Sequence, residues 1–327
     1  MSILPHRHKL TASHPLRGSL PMSRRRVLLV AVLLGVLALL GSGGYFLFLR
    51  TPAPATVKPT EFQDTRDGLP SEAQFAELAR TDPVALLDVC LSRYTREVAG
   101  FRATLEKQEF LGGTLHPVEL LKVSIREKPV AVSMRWIRGA RPDFLGIHTQ
   151  GVAYVEGENK DAMLTWRPEA RLQMLREKTL DPKDPLFARK ASRYCIKDAG
   201  FLPTMLRTRD TWAERQKAGE LRFVYHGVRP IEKLGNRPCH VIERTCPHRE
   251  LDSFSRDEAT PTDPKRIDSE GFDTVTIYID AEHWIQTGTE LKRSNGDLMG
   301  SYFFRDLERN PMFDAQEFKL EGLKRAP

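Results

Sequence analysis

From Phe101 to Trp136 the chain alternates apolar and polar residues with a period of two, the repeat of a strand that buries one face. Phe101, Ala103 and Leu105 alternate with Arg102, Thr104 and Glu106 before Leu111-Gly112-Gly113 turns the chain. Leu121, Val123 and Ile125 repeat the pattern. After Lys128-Pro129, Val130, Val132, Met134 and Trp136 repeat it once more. Strands joined by short turns make an antiparallel meander, and its apolar face has to be covered. Strand-like pieces follow at Val152–Val155 and Met163–Trp166. Further ones contain Leu221, Phe223 and Tyr225, then Cys239, Val241 and Glu243, then Val275, Ile277 and Ile279. The last two, Trp284–Leu291 and Ser301–Leu307, flank Asn295-Gly296, a strong hairpin signal.

Helices supply the cover. Asp82-Pro83 is an N-cap followed by proline at the first helical position, and Val84, Leu87, Leu91, Tyr94 and Val98 share one helical face. Asp184–Ala199 and Pro203–Ala218 have helical composition, closed by Gly200 and Gly219. The expected fold is α+β: a large curved antiparallel sheet covered by about three helices. Pro247–Gly271 is polar, charged and too long for an ordinary hairpin loop, so residues 247–271 are expected to form a mobile loop.

Ahead of this domain lies a topology signal. Residues 1–50 hold seven Lys or Arg and no acidic residue; removing those seven from the total of 50 leaves 43 basic residues against 43 acidic ones. The net charge of +7 therefore belongs to the leader, and a nucleic-acid role has no charge to rest on. Val27–Leu49 is a run of 23 uncharged residues, spanning about 34 Å as a helix against a hydrocarbon core of about 30 Å. Arg24, Arg25 and Arg26 precede it, which keeps the N-terminus inside. Tyr45–Leu49 continue the apolar run past the small residues Gly41-Ser42-Gly43, favouring an uncleaved anchor over a signal peptide. The expected organisation is a basic cytoplasmic leader (1–26), an inner-membrane anchor (27–49), a Pro/Ala/Thr-rich stalk (50–70) and an extracytoplasmic domain (71–327).

Leu87-Asp88, Cys90-Leu91, Arg93-Tyr94, Gly100-Phe101, Lys107-Gln108-Glu109, Arg126-Glu127-Lys128-Pro129, Tyr278-Ile279-Asp280 and the string from Gly300 to Asp306 resemble the bacterial domain-of-unknown-function family 1571. The resemblance covers about residues 80–325 and implies no activity. At the level of the fold, the opening helix leading into a first strand also resembles the envelope lipoprotein carriers and sensors LolA, LolB and RseB. Those are half-barrels that hold acyl chains or lipoproteins in an apolar hollow. That resemblance implies a non-enzymatic protein binding a lipid, lipoprotein or other apolar ligand.

No zincin helix, nucleophile elbow or phosphate loop occurs. Cys239-His240 and Cys246-Pro247-His248 offer soft metal ligands, but an extended run would hold the two cysteines about 23 Å apart. Neither a shared metal nor a Cys239–Cys246 bridge is expected; Cys90 with Cys195, on two separate expected helices, is the pair to test. Asp280, Glu282 and His283 read as a polar turn. No cofactor and no catalytic residue is assigned. The rival readings are an envelope-polymer hydrolase using Glu109, Glu127 and Asp280, and a signalling or scaffold ectodomain. The expected ligand surface is the apolar strand face Val130, Val132, Met134 and Trp136.

Overall fold

A computed structural model describes residues 69–142, 146–182, 192–252 and 264–325. The expected leader, anchor and most of the stalk lie outside the described residues. Among the described residues no helix is long and apolar enough to cross a membrane.

The domain opens with two helices. Helix α1, Glu72–Thr81, starts in a capping box: the Gln74 amide donates to Ser71 Oγ while the Gln74 side chain accepts from the Ser71 N–H. Asp82 then breaks the chain and caps α2, Pro83–Glu97, its Oδ1 accepting from the Ala85 N–H at 3.0 Å. The sheet begins at once, with β1 (Gly100–Leu111), the short β2 (Thr114–Leu115), β3 (Glu119–Glu127) and β4 (Val130–Arg138). It continues through β5 (Gly151–Val155), β6 (Met163–Trp166), the single turn α3 (Gln173–Arg176) and β7 (Glu177–Leu180). Helix α4, Phe201–Lys217, interrupts the strands before β8 (Arg222–Ile231) and β9 (Arg237–Thr245). Two short helices, α5 (Arg249–Asp252) and α6 (Pro264–Glu270), precede β10 (Thr274–Asp280), β11 (Gln286–Lys292) and β12 (Leu298–Arg309), and α7 (Leu320–Lys324) ends the domain.

All strands join one antiparallel sheet of twelve, ordered β7-β6-β5-β4-β3-β1-β12-β11-β10-β9-β8 with β2 beside β1. The final strand β12 thus returns to pair with the first, closing the two halves of the meander into one surface. Bulges interrupt the register within the β1–β12, β3–β4, β8–β9, β10–β11 and β11–β12 pairs, and each bends and twists its strand.

One face carries the main core. Phe75 of α1, Leu86, Leu87, Cys90 and Tyr94 of α2, and Phe201, Met205 and Trp212 of α4 pack against Phe101, Leu121, Ile125, Val132, Ile277 and Ile279. Phe101 and Phe201 stack with ring centroids 4.2 Å apart. The opposite face is covered locally: Phe313 and Phe318 pack on Ala131 and Val155, and Arg102 grips Glu317 through paired contacts of 2.8 and 2.7 Å.

Among the described residues α1, α2 and α4 cover the core face of the sheet, and they are not the expected three. The opening segment is two helices rather than one. Of the expected helix 184–199, residues 184–191 lie outside the described residues and 192–199 hold only the 3₁₀ turn Ile196–Asp198. Gly200 does not close a helix; at φ 104° and ψ −178° it is the positive-φ N-cap of α4. That positive φ favours glycine, and a Cβ there would also lie 2.8 Å from Ile125 Cδ1, the movable end of its side chain. Cys195 consequently sits outside a helix, which removes the premise for pairing it with Cys90; all four cysteines are free thiols in this structure.

Candidate functional site

The strand register lays out the inner face row by row. Lys107 on β1 stands opposite Glu119 on β3 and Tyr302 on β12, and Tyr302 stands opposite Thr289 on β11. Two residues along, Leu105 faces Leu121 on one side and Phe304 on the other. On the far strands Val123, Met134, Val152 and Thr165 continue the same surface.

Between this face, α4 and the 192–200 segment lies a cavity of about 540 Å³. Val152 and Thr165 of β5 and β6 touch it, and so do Val275 of β10 and Arg244 of β9. Strands β6 and β9 stand eight positions apart in the sheet, which in a flat sheet means about 38 Å at about 4.8 Å per strand. Only a sheet curled around the cavity brings both to it. The hollow stays open because of what α4 presents. Phe201 and Met205 point into the core, whereas Thr204, Arg207, Thr208 and Thr211 form a stripe of mostly short side chains along the cavity. Half-buried Thr149 and Arg207 and exposed Asp181 share its rim.

The four residues expected to bind a ligand share one strand face, yet they divide between two surroundings. Met134 and Trp136 line the cavity. Val132 is fully buried in the core opposite Ile125, and Val130 packs beside it, opposite Glu127. The division follows the helices: α2 ends over the start of β4, where the Tyr94 hydroxyl donates to Glu127, and leaves the end of β4 uncovered.

At one end of the cavity is a buried ion network that the sequence reading missed. Glu109, fully buried, accepts through Oε1 from the Tyr302 hydroxyl at 2.8 Å, Ser192 Oγ at 3.0 Å and the Arg193 N–H at 3.1 Å. Its Oε2 meets Lys107 Nζ at 3.3 Å and Arg141 Nη2 at 3.1 Å. Glu119 lies 3.5 Å from the same lysine and 3.0 Å from Arg141 Nε, and accepts from the Trp136 indole at 2.6 Å. Two carboxylates and two cations therefore balance. Burial pushes the Glu109 carboxyl up, but the Lys107 charge, the Tyr302 hydroxyl, the Arg141 charge and the Arg193 N–H together bring it down to about 2. Each of its oxygens is already engaged by donors, so Glu109 is a structural anion rather than a base. A second pair, Arg244 with Asp252 at 2.6 Å, borders the cavity with both members nearly solvent-free.

This second pair also bears on the expected 247–271 loop. Its described ends are helices α5 and α6, pinned by Arg244 to Asp252 and by Arg249 to Asp273 at 2.6 and 2.8 Å. The remaining candidates do not converge. Glu109, Glu127 and Asp280 end on different partners, so the hydrolase constellation does not assemble from them. Asp280 shapes a turn: its Oδ1 accepts from the Glu282 and His283 N–H groups, and Oδ2 from Arg237 Nε at 2.6 Å. The ligand-capable atoms of Asp280, Glu282 and His283 lie within 4.8 Å of one another, but Asp280 is spent on that turn. Cys239 is fully buried on β9 and Cys246 follows the strand's end, so a strand does separate them.

Residues 98–322 match the protein family described as DUF1571, protein of unknown function. The chain belongs to this family. No curated protein matches it by sequence. Among solved structures, the DUF1571 chain is similar to a DUF1329 family protein from Desulfovibrio piger, with 12% identity and a TM-score of 0.36 over 75% of this chain and 100% of that one. It is similar to the lipoprotein LppX of Mycobacterium tuberculosis, with 13% identity and a TM-score of 0.36 over 71% and 99%. A LolA superfamily protein from Nitrosomonas europaea matches with 9% identity and a TM-score of 0.27 over 72% and 98%.

Proposed function

We propose that this chain is a non-enzymatic envelope protein that holds an apolar ligand, a lipid or the acyl part of a lipoprotein, in the hollow of its curved sheet. The observation that carries the reading is the cavity. Its volume of about 540 Å³ falls within the roughly 300–1,000 Å³ of small-molecule sites, and Leu105, Met134, Trp136, Val152, Trp212 and Leu291 wall it. Sealed and dry, a void of that size would cost about 13 kcal/mol at roughly 24 cal/mol per Å³, as much as an ordinary domain's whole stability. The hollow is open at its rim and so is filled by water or by a ligand, and its apolar stretch of wall favours an apolar occupant over water. Met134 and Trp136 are assigned to ligand contact, and Val130 and Val132 to the core behind them.

The basic leader and the uncharged run Val27–Leu49 support an inner-membrane tether that keeps the hollow beside a bilayer, with the domain extracytoplasmic. Native mass spectrometry of residues 71–327 purified without detergent tests the reading. An apolar mass of about one per chain is expected. A bare chain that also ignores an added fluorescent fatty acid would favour the signalling or scaffold alternative.

A further inference from the structure

Several of the cations that line the cavity are matched by carboxylates. Lys107 and Arg141 meet Glu109 and Glu119, and Arg244 meets Asp252. Arg207, on the stripe that α4 turns toward the cavity, meets no carboxylate among the described residues. Its guanidinium lies over the Tyr194 ring, 4.0 Å from the centroid, and Tyr194 in turn packs on Tyr302 at 5.6 Å. A ring contact of this kind uses no N–H donor, and the guanidinium's donors form the planar fork that fits a carboxylate or phosphate. Thr204 and Thr211, one turn to either side, line the same wall and add hydroxyl donors.

We infer that the cavity's ligand is an amphiphile with an anionic head, a carboxylate or a phosphate, bound by Arg207 while its tail lies against Met134, Trp136 and Val152; this rests on the apolar-ligand reading above. The argument is one of charge. Any ligand that fills the hollow removes water from half-buried Arg207, and a neutral head would leave that cation desolvated and unpaired. An anionic head removes the penalty and gains two charge-assisted hydrogen bonds. Tyr194 holds the fork in place before the ligand arrives, so little ordering remains to be done on binding.

The test titrates the full chain at pH 8 with anthroyloxy-labelled stearic acid and with its methyl ester, which share a tail and differ in the head. The acid is expected to bind about tenfold more tightly. Arg207→Gln should abolish the preference, weakening the acid and, with no cation left to desolvate, tightening the ester, while Arg207→Lys, which keeps the charge without the fork, should retain part of the preference. Unlabelled dodecyl phosphate should displace the label and inorganic phosphate should not. Equal binding of acid and ester by the wild type, or an undiminished preference in Arg207→Gln of native circular dichroism, overturns the head-group assignment and leaves the apolar cavity standing. Displacement by inorganic phosphate marks a free-anion site and also overturns the assignment. If neither probe is taken up, the apolar-cavity reading falls and the head group with it.

Discussion

Placing a glutamate at two positions of one strand face separates core from cavity. Val132 is fully buried between Ile125 and Tyr154, themselves 2% and 4% exposed. A carboxylate there is shut off from water, and a buried charge without a well-placed partner costs about 4 kcal/mol or more after relaxation. Against a total stability of roughly 5–15 kcal/mol, Val132→Glu should leave the domain partly or wholly unfolded. Met134 lies two residues along on the same face, but its side chain borders the cavity. A glutamate at 134 reaches solvent there and forfeits only the partial burial of the methionine, about 1 kcal/mol. Urea unfolding followed by circular dichroism reads the difference of about 3 kcal/mol as a midpoint separation of roughly 1 M or more. Met134→Glu, still folded, should have lost uptake of a fluorescent fatty acid. Equal destabilisation by the two variants would mean that position 134 faces solid core, and the cavity argument would be refuted.

Acid should weaken the fold through Glu109. Its folded pKa of about 2 lies below the ordinary 4.5, so its contribution is complete above about pH 4.5 and is lost as pH falls toward 2. Asp273, held at about 2 first by its hydrogen bonds from Arg249, titrates in the same window. Unfolding free energy measured from pH 5 to 2 should therefore be flatter in Glu109→Gln than in the wild type without becoming level. Asp252→Ala leaves Arg244 buried without its counter-charge and should cost about 3–5 kcal/mol by denaturant titration, whereas replacing both by apolar residues should recover most of that loss. If Val27–Leu49 is an anchor, full-length protein stays in the membrane pellet through a carbonate wash; release into the supernatant contradicts it.

The sheet was legible because burying one face writes a period of two into the chain, and β1, β3, β4 and the β11–β12 hairpin at Asn295-Gly296 appear where that period and its turns place them. Helix α2 was legible from Asp82-Pro83. Helix α1 was missed although Ser71 and Gln74 spell its capping box, and β7 was hidden in a charged stretch with no alternation to mark it. The cavity itself was not legible, because periodicity states which way a side chain points and not whether the space it faces is filled. Met134 and Val132 carry the same signal and differ only in what α2 and α4 lay over them. Three of the four charges of the ion network were within reach. Continuing the Phe101–Leu105 alternation puts Lys107 and Glu109 on the inward face, and stepping back from Leu121 puts Glu119 there, three charges where apolar residues are expected. Arg141 and Ser192 lie outside strands, and only the folded chain brings them to Glu109.

The central claim is that an apolar chain lies in the hollow against particular walls, and tryptophan quenching reads it most directly. Trp136 and Trp212 line the cavity, whereas Trp284 packs away from it, against Phe75. Titrating the full chain with a brominated fatty acid, which quenches indoles at contact distance, should extinguish part of the emission with saturation. Trp212→Phe should shrink the quenched fraction and Trp284→Phe should enlarge it. Emission that never falls, or a quenched fraction that Trp284→Phe reduces and Trp212→Phe does not, would contradict an apolar ligand in this cavity.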